Sequence, residues 1–280
     1  MDSWYRKENE LLQELQSEWK DATSVPVWRL GQCGQALRLA DSLLLIDPVL
    51  CDLKDPQGNT RRLYPAPFDP AQLNADVVFC THLHRDHFEA QTLKALREAN
   101  PELKIVLPAG LKDNAREIGF ADEQILPVND GESLALGPVQ IGALRTAHPE
   151  EQVDAQGNDT NLAFVLEGDG VKLVHLGDTY LTPKLLEKLK AQGPVDVLFA
   201  PINGQDYFRT ARGCIGNLSG YEAARLAKEM QADLTIPMHF DMMTGNTCSP
   251  LPFAQSMLEE YPEGRFALPR LGECVRVPQK

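Results

Sequence analysis

No stretch of this 280-residue sequence approaches the run of roughly 18 to 20 apolar residues that crosses a bilayer. The first ten residues are rich in charge, which argues against a signal peptide and against attachment to a membrane. The six cysteines are scattered without a Cys-x-x-Cys pair, and a disulfide framework is not expected in a chain of this length. These absences predict a cytoplasmic protein with reduced thiols.

Positive charge is also scarce. The 27 lysines and arginines are outnumbered by 40 aspartates and glutamates, which gives a net charge of −13, and no run of basic residues occurs. Proteins that bind nucleic acids need a basic face, because contacts to phosphates dominate their affinity. We therefore expect no nucleic-acid partner, while assembly into a homo-oligomer remains open.

Hydrophobic residues make up 43% of the chain, which is enough for a sizeable core. Helix-like and strand-like patterns alternate without a linker, which predicts one layered α/β domain over 1–280 with an N-terminal helical extension over 1–24. A helix over 4–20 is expected there, since Trp4 and Trp19 share a face with its leucines.

Further elements follow from periodicity and turn signals. Strands are predicted at 26–30, 34–39, 42–46, 76–80, 104–107, 125–128, 138–145, 161–167, 171–176, 196–201 and 233–238, with a final strand pair at the C-terminus. Helices are predicted at 88–99, 109–118, 182–191, 219–231 and 250–260. The segment 50–75 is a long irregular loop, and such inserts are often functional.

The densest chemical motif is Thr81-His-Leu-His-Arg-Asp-His87, which holds three of the six histidines. It begins where the apolar run 76–80 ends. His82 and His84 are two residues apart, so on extended backbone they point the same way and can share one ion. Asp86 and His87 follow at a turn and can face a second position. Imidazoles and carboxylates in such a cluster are ligands for zinc, manganese or iron.

Four other strand-like runs end in a residue that can bind or orient a metal: Asp47, His148, Asp178 and His239. Together with His82-x-His84-x-Asp86-His87, this order resembles the signature of the metallo-β-lactamase superfamily over 25–275. The resemblance implies a four-layer αββα sandwich, with the site on the rim where the two sheets meet.

The same resemblance implies a role for each residue. One ion is expected on His82, His84 and His148 and the other on Asp86, His87 and His239, with Asp178 shared by both. Two divalent cations, Mn²⁺ or Zn²⁺ with iron as a further option, would hold a hydroxide for hydrolysis. Asp86 would position this nucleophile and take its proton. Asp47 would orient a ligand histidine, although it could instead cap the turn before Pro48.

Two segments resemble a narrower group. Trp28-Arg-Leu-Gly-Gln-Cys-Gly34 and the segment 202–217 look like the L-ascorbate-6-phosphate lactonase branch, which implies a lactonase that opens a small anionic, sugar-phosphate-like lactone. That lactonase lacks a histidine at the position of His148, so the ligand set is more complete here. A phosphodiesterase of the same fold, acting on a small phosphodiester, is the alternative.

Specificity is expected from the loop between the last two parallel strands. The candidates for substrate contact are Asp206, Tyr207, Arg209, Arg212 and Asn217. An arginine beside a metal pair can bind phosphate or carboxylate through two hydrogen bonds. A solvated loop with structural ion pairs is the other interpretation.

Some residues near these motifs have simpler interpretations. His175 lies inside an apolar strand and is predicted to be a core histidine with satisfied hydrogen bonds. Cys33 and Cys80 are predicted to pack in the core. Tyr180 and Asp241 flank predicted ligands and could contact a substrate.

Overall fold

The computed structural model describes residues 8–17 and 23–280. Trp4 and Trp19 of the predicted N-terminal helix lie outside the described residues. Within these residues the strands form two seven-stranded sheets, each with parallel and antiparallel neighbours. No helix in the same ranges is long and apolar enough to cross a membrane.

The strands and helices alternate along the chain. The strands are β1 (Ser24–Gly31), β2 (Gly34–Leu39), β3 (Ser42–Ile46), β4 (Val77–Phe79), β5 (Lys104–Pro108), β6 (Ile125–Val128), β7 (Ser133–Leu136), β8 (Val139–Arg145), β9 (Leu162–Gly168), β10 (Val171–His175), β11 (Val197–Pro201), β12 (Leu234–Met238), β13 (Arg265–Phe266) and β14 (Cys274–Pro278). The helices are α1 (Glu8–Gln16), α2 (Ala90–Ala99), α3 (Lys112–Glu117), α4 (Pro183–Lys190), α5 (Tyr207–Thr210), α6 (Gly220–Glu229) and α7 (Leu251–Glu260).

The strand directions bring many C-terminal strand ends to one rim. In the first sheet, ordered β14-β1-β2-β3-β4-β5-β6, the strands β3, β4 and β5 run parallel. In the second, ordered β13-β12-β11-β10-β9-β8-β7, the strands β10, β11 and β12 run parallel. β8 shares their direction, because both β8 and β10 are antiparallel to β9. Residues that follow these strands therefore share an edge of the sandwich.

The core explains the four layers. One cluster of buried side chains joins the inner faces of both sheets, where Phe79 and Phe164 meet edge to face with ring centroids 5.3 Å apart. Helices α4, α6 and α7 add leucines, alanines and Phe253 to the outer face of the second sheet. A second cluster packs α1, α2 and α3 onto the outer face of the first sheet. The αββα sandwich implied by the sequence is confirmed.

Three local features differ from expectation. β7 was not predicted, and its four residues are alternately exposed and half-buried at a sheet edge, so their apolar pattern is weak. The predicted final strand pair is wrong, because β13 pairs with β12 and β14 pairs with β1 in the other sheet. The short helix α5 was also missed, and the Asp206 side chain caps it by accepting a hydrogen bond from the Arg209 amide.

Candidate metal centre

Seven side chains converge at the rim between the two sheets, and we call them the floor: His82, His84, Asp86, His87, His148, Asp178 and His239. Two sets within the floor, His82–His84–His148–Asp178 and Asp86–His87–His239, each have their ligand-type atoms within 4.8 Å of one another. A third such set combines Cys33 with His87 and Asp178. The structure thus brings together every residue that the sequence proposed as a ligand.

The turn after β4 gathers the side chains of the histidine motif on the floor. His82 Nε2 lies 2.9 Å from His84 Nδ1, so these two imidazoles meet. The amides of His87 and Phe88 both donate to the carbonyl of His84, at 2.9 and 2.8 Å. This tight turn brings Asp86 and His87 to the second set, while the ring of His87 stays close to that of His82, with 4.1 Å between centroids.

Asp178 reaches the floor because the chain turns sharply after β10. Gly177 has φ +60°, and a Cβ there would lie 2.8 Å from Thr81 Oγ1. Only glycine allows this close approach without strain. The turn therefore packs against the start of the histidine motif and holds Asp178 between both sets.

The Asp178 carboxylate contacts histidines of both sets. Its Oδ2 lies 3.5 Å from His148 Nε2 and 3.1 Å from His239 Nε2. Its Oδ1 lies 3.3 Å from His87 Nε2. Asp86, the other floor carboxylate, contacts only His87 and His239 among the floor histidines that the structure describes.

Asp47 lies beneath the floor and is fully buried. Its Oδ2 accepts hydrogen bonds from His87 Nδ1 at 2.6 Å and from Thr81 Oγ1 at 2.7 Å, and its Oδ1 accepts one from the Thr81 amide at 2.8 Å. With Nδ1 used in this way, His87 presents Nε2 to the floor. That buried nitrogen has no hydrogen-bond partner among the described residues.

Gln32 is a floor contact that sequence reasoning missed. Its Nε2 donates to Asp86 Oδ2 at 2.8 Å and lies 3.0 Å from His239 Nε2. Its carbonyl accepts from the His239 amide at 3.0 Å. Gln32 (φ +53°) and His239 (φ +59°) both adopt the left-handed region, which costs free energy in non-glycine residues and is common at functional sites. The signal in the sequence was a polar residue between Gly31 and Gly34 at the turn of an apolar hairpin.

The floor histidines fall into two groups, one with a lowered pKa and one with a raised pKa. Burial lowers the pKa of His148 to about 4 and also lowers the pKa of His82. Burial has the same tendency at His239, but the carboxylates of Asp178 and Asp86 outweigh it and raise the pKa of His239 to about 10. The pKa of His87 is raised in the same way, with Asp47 contributing. The carboxylates therefore favour positive charge at the second set.

The floor opens into a pocket of about 350 Å³. Two loop segments, 53–61 and 212–215, contribute much of its lining and are called the wall. Of the five predicted substrate contacts, Arg212 alone lines this pocket. Arg209 instead donates to Asn203 O at 2.7 Å and to Asn246 Oδ1 at 3.1 Å, and it pairs with Asp206.

The other two predicted contacts also lie away from the pocket lining. Tyr207 is 79% exposed and packs edge to face on Phe208. Asn217 is buried, and its amide donates to Asn203 Oδ1 at 3.0 Å. Both residues shape the segment that leads to the wall rather than the pocket itself.

Comparison with known proteins places this fold and site in a family. Residues 30–239 match the model of the beta-lactamase superfamily domain. The chain belongs to the beta-lactamase superfamily. It is 30% identical over 216 residues to a UPF0173 metal-dependent hydrolase of Opitutus terrae, which covers 75% of this chain and 82% of that protein.

Two solved structures share the fold. Igni18, a metallo hydrolase from Ignicoccus hospitalis, superposes with a TM-score of 0.68 at 18% identity, over 92% of this chain and 100% of that one. The metallo-beta-lactamase fold protein YhfI from Bacillus subtilis superposes with a TM-score of 0.63 at 17% identity, over 90% and 99%.

The donor set of this beta-lactamase superfamily member fits divalent metal ions. Neutral imidazoles and ionised carboxylates are the ligands that such ions select. Burial alone would raise the pKa of Asp86 and Asp178, but the facing imidazoles of His87 and His239 lower both, so the carboxylates are ionised. The buried Nε2 of His87 lies 3.3 Å from Asp178 Oδ1 and 3.9 Å from Asp86 Oδ2, so a ligand nitrogen and two carboxylates face one another there.

Neighbouring residues complete the site. His175 Nε2 lies 2.9 Å from Cys33 O, and its Nδ1 accepts from the Gly177 amide at 3.3 Å, so its prediction as a satisfied core histidine is confirmed. Cys80 is buried in the core, and burial raises its pKa. Cys33 is also buried, but its thiol lies 3.7 Å from Asp178 Oδ1, so it touches the floor as well as the core.

Tyr180 and Asp241, which flank predicted ligands, have structural contacts. Tyr180 Oη accepts from the Gly216 amide at 3.0 Å, which ties the chain after the wall to the strand end that carries Asp178. Asp241 pairs with the buried Arg29, and its Oδ1 accepts from the Gln32 amide at 3.4 Å. Both residues therefore hold neighbouring segments in place.

Proposed function

We propose that this protein is a metal-dependent hydrolase that opens a small anionic lactone of the sugar-phosphate type. The observation that carries the proposal is the floor, in which two histidine-rich sets meet at Asp178 and open into a pocket lined by Arg212. The metal-dependent hydrolase of Opitutus terrae supports the reaction class. The resemblance of 28–34 and 202–217 to the lactonase branch supports the substrate class.

In this proposal the two sets hold two cations. His82, His84 and His148 would hold one, Asp86, His87 and His239 would hold the other, and Asp178 would be shared. Mn²⁺ or Zn²⁺ bound there would lower the pKa of a coordinated water and polarise the lactone carbonyl. Asp47 fixes the ring of His87 through Nδ1, so that Nε2 faces the ion.

Asp86 is the residue proposed to handle the proton. Its side chain is 16% exposed and borders the pocket, so it can reach a water molecule there. Its low pKa keeps it ionised at neutral pH. Gln32 Nε2 holds one of its oxygens at 2.8 Å, which sets the direction in which the carboxylate can accept a proton.

The pocket suits a small molecule. Its volume of about 350 Å³ lies near the lower end of the range for ligand pockets. Arg212 is exposed and lines the pocket, so its guanidinium can bind the anionic group of a substrate. Binding at this group would align the lactone carbonyl with the floor.

The test is a paired screen of the metal-loaded protein. Lactones of phosphorylated sugars, including L-ascorbate 6-phosphate, form one panel, and small phosphodiesters form the other. We expect hydrolysis of at least one lactone, its loss with a chelator, and its recovery when metal is added back. Hydrolysis of diesters with none of any lactone would reject the lactonase assignment and favour the phosphodiesterase.

A further inference from the structure

The two wall segments share a pattern of paired arginines. Beside each segment one arginine is fixed by hydrogen bonds to the backbone, and a neighbour one or three positions away lines the pocket. Arg62, directly after the first segment, forms this pair with Arg61, and Arg209, three residues before the second segment, forms it with Arg212. The second segment was expected to contact substrate from its sequence, but the first was not.

Arg62 anchors the first segment. Its side chain is 5% exposed, and it donates to Val49 O at 2.6 Å, to Cys51 O at 3.1 Å and to Tyr64 O at 3.1 Å. The Arg61 amide donates to Leu53 O at 2.6 Å, which closes the segment. The position of Arg61 at the pocket is therefore set by buried contacts, although it lies in a long loop.

The second segment is anchored in the same manner. The Arg209 guanidinium donates to Asn203 and Asn246, and its carbonyl accepts from the amides of Arg212 and Cys214, both at 3.0 Å. This turn carries Arg212 to the pocket. The two segments thus contribute one arginine each to the lining of the same cavity.

Neither pocket-lining arginine forms an ion pair in the described ranges, although Asn59 and, more weakly, Arg61 lower the pKa of the Asp55 carboxyl. The side chains of Arg61, Arg212 and Lys54 make no ion pair or hydrogen bond within residues 8–17 and 23–280. Arginines elsewhere, such as Arg145 and Arg265, are held against aspartates. The wall acid Asp55 is occupied, since it accepts hydrogen bonds from the Gln57 amide and from both nitrogens of Asn59.

We propose that Arg61 and Arg212, with Lys54, form an anion subsite that binds a dianionic phosphate group from both sides of the pocket. Two arginines without an ion-pair partner among the described residues line one cavity, and such a pair suits a ligand of opposite charge. A phosphate ester offers enough oxygens for a bidentate contact from each arginine. This subsite rests on the proposed function and specifies its substrate as a lactone that carries a phosphate ester. The subsite binds the phosphate group, and the lactone ring is opened at the floor.

The experiment measures binding of inorganic phosphate to the metal-loaded protein by calorimetry at fixed ionic strength. We expect Arg61→Gln and Arg212→Gln each to weaken binding by about 10-fold or more, as for loss of a charged hydrogen bond. Metal content and melting temperature should not change. The control is Arg225→Gln, which removes a surface arginine paired with Glu260 and should bind phosphate like the native chain.

Two results would overturn the subsite. One is native phosphate affinity in both wall variants, as expected if phosphate binds only to the metal ions. The other is no phosphate binding by the native protein. Turnover on the two substrate panels is measured on the same preparations. Arginine-dependent phosphate binding without any turnover would retain the subsite and reject the proposed function, whereas turnover with arginine-independent phosphate binding would reject the subsite alone.

Discussion

The floor and the wall of the pocket are built on different physical principles. Floor residues directly follow strands of the sandwich, and most are buried, with hydrogen-bond partners such as Asp47 and Gln32 behind them. The wall lies on loops and presents exposed or half-buried cations. The sandwich therefore fixes the positions of the proposed metal ligands, while substitutions in the loops can alter substrate binding without disturbing those ligands.

The largest effect is expected at the centre of the floor. Asp178→Ala removes the carboxylate that contacts both histidine sets, so both ions should loosen. Activity should fall by more than the roughly 10- to 100-fold typical of residues that only orient ligands. Elemental analysis and turnover check this, with the exposed Asp113→Ala as the control. Near-native turnover would show that Asp178 is not a shared ligand.

The second-largest effect is expected at Asp47, because this residue acts on the metal site through His87. Asp47→Asn keeps the shape but removes the charged acceptor of His87 Nδ1, and metal affinity should fall by roughly 10- to 100-fold. Asp47→Ala should also lower the free energy of unfolding by about 1–3 kcal/mol, since the buried Thr81 groups lose their acceptor. Metal titration and thermal unfolding separate the two effects. Unchanged metal affinity in both variants would leave Asp47 as a turn cap.

Gln32 should have a smaller effect on the same floor. Gln32→Ala removes the hydrogen bond to Asp86 and should lower kcat by roughly 10-fold, the low end for residues that orient ligands. KM should change little, because Gln32 is absent from the pocket lining. A rise in KM at constant kcat would instead assign Gln32 to substrate binding.

The smallest effects are expected for Arg212, which lines the pocket, and for Arg209, which anchors the chain before it. Arg212→Gln should raise KM by roughly 10-fold while kcat and the melting temperature stay the same, as for loss of uniform substrate binding. Arg209→Gln should lower the free energy of unfolding by about 1–3 kcal/mol, because it leaves Asn203 O without its donor. Equal effects of the two substitutions on KM and on unfolding would remove the distinction between anchor and ligand-binding arginine.

The floor could be foreseen from the sequence because its signals are local. His82, His84, Asp86 and His87 lie within six residues after a strand, and strand polarity then places Asp178 and His239 on the same rim. Gln32 could not be found this way. Its partners Asp86 and His239 lie 54 and 207 positions away along the chain. The periodicity of a sequence carries no information on contacts between such distant residues.

The wall was less predictable because loop geometry decides it. Arg209 and Arg212 are three residues apart in one segment, yet one is fixed by the backbone and the other lines the pocket. Arg61 lies in a loop whose path depends on the burial of Arg62. The last two strands were mistaken for a pair for a similar reason, since each adds to the edge of a different sheet.

The most direct test of the account is the number of metal ions bound by the native chain. The protein would be stripped with a chelator, titrated with Mn²⁺ or Zn²⁺, freed of excess metal, and measured by elemental analysis alongside Asp178→Ala. The account predicts two ions per native chain and fewer than one in the variant, with hydrolytic activity following the second ion. One ion or none in the native chain after saturation would contradict it.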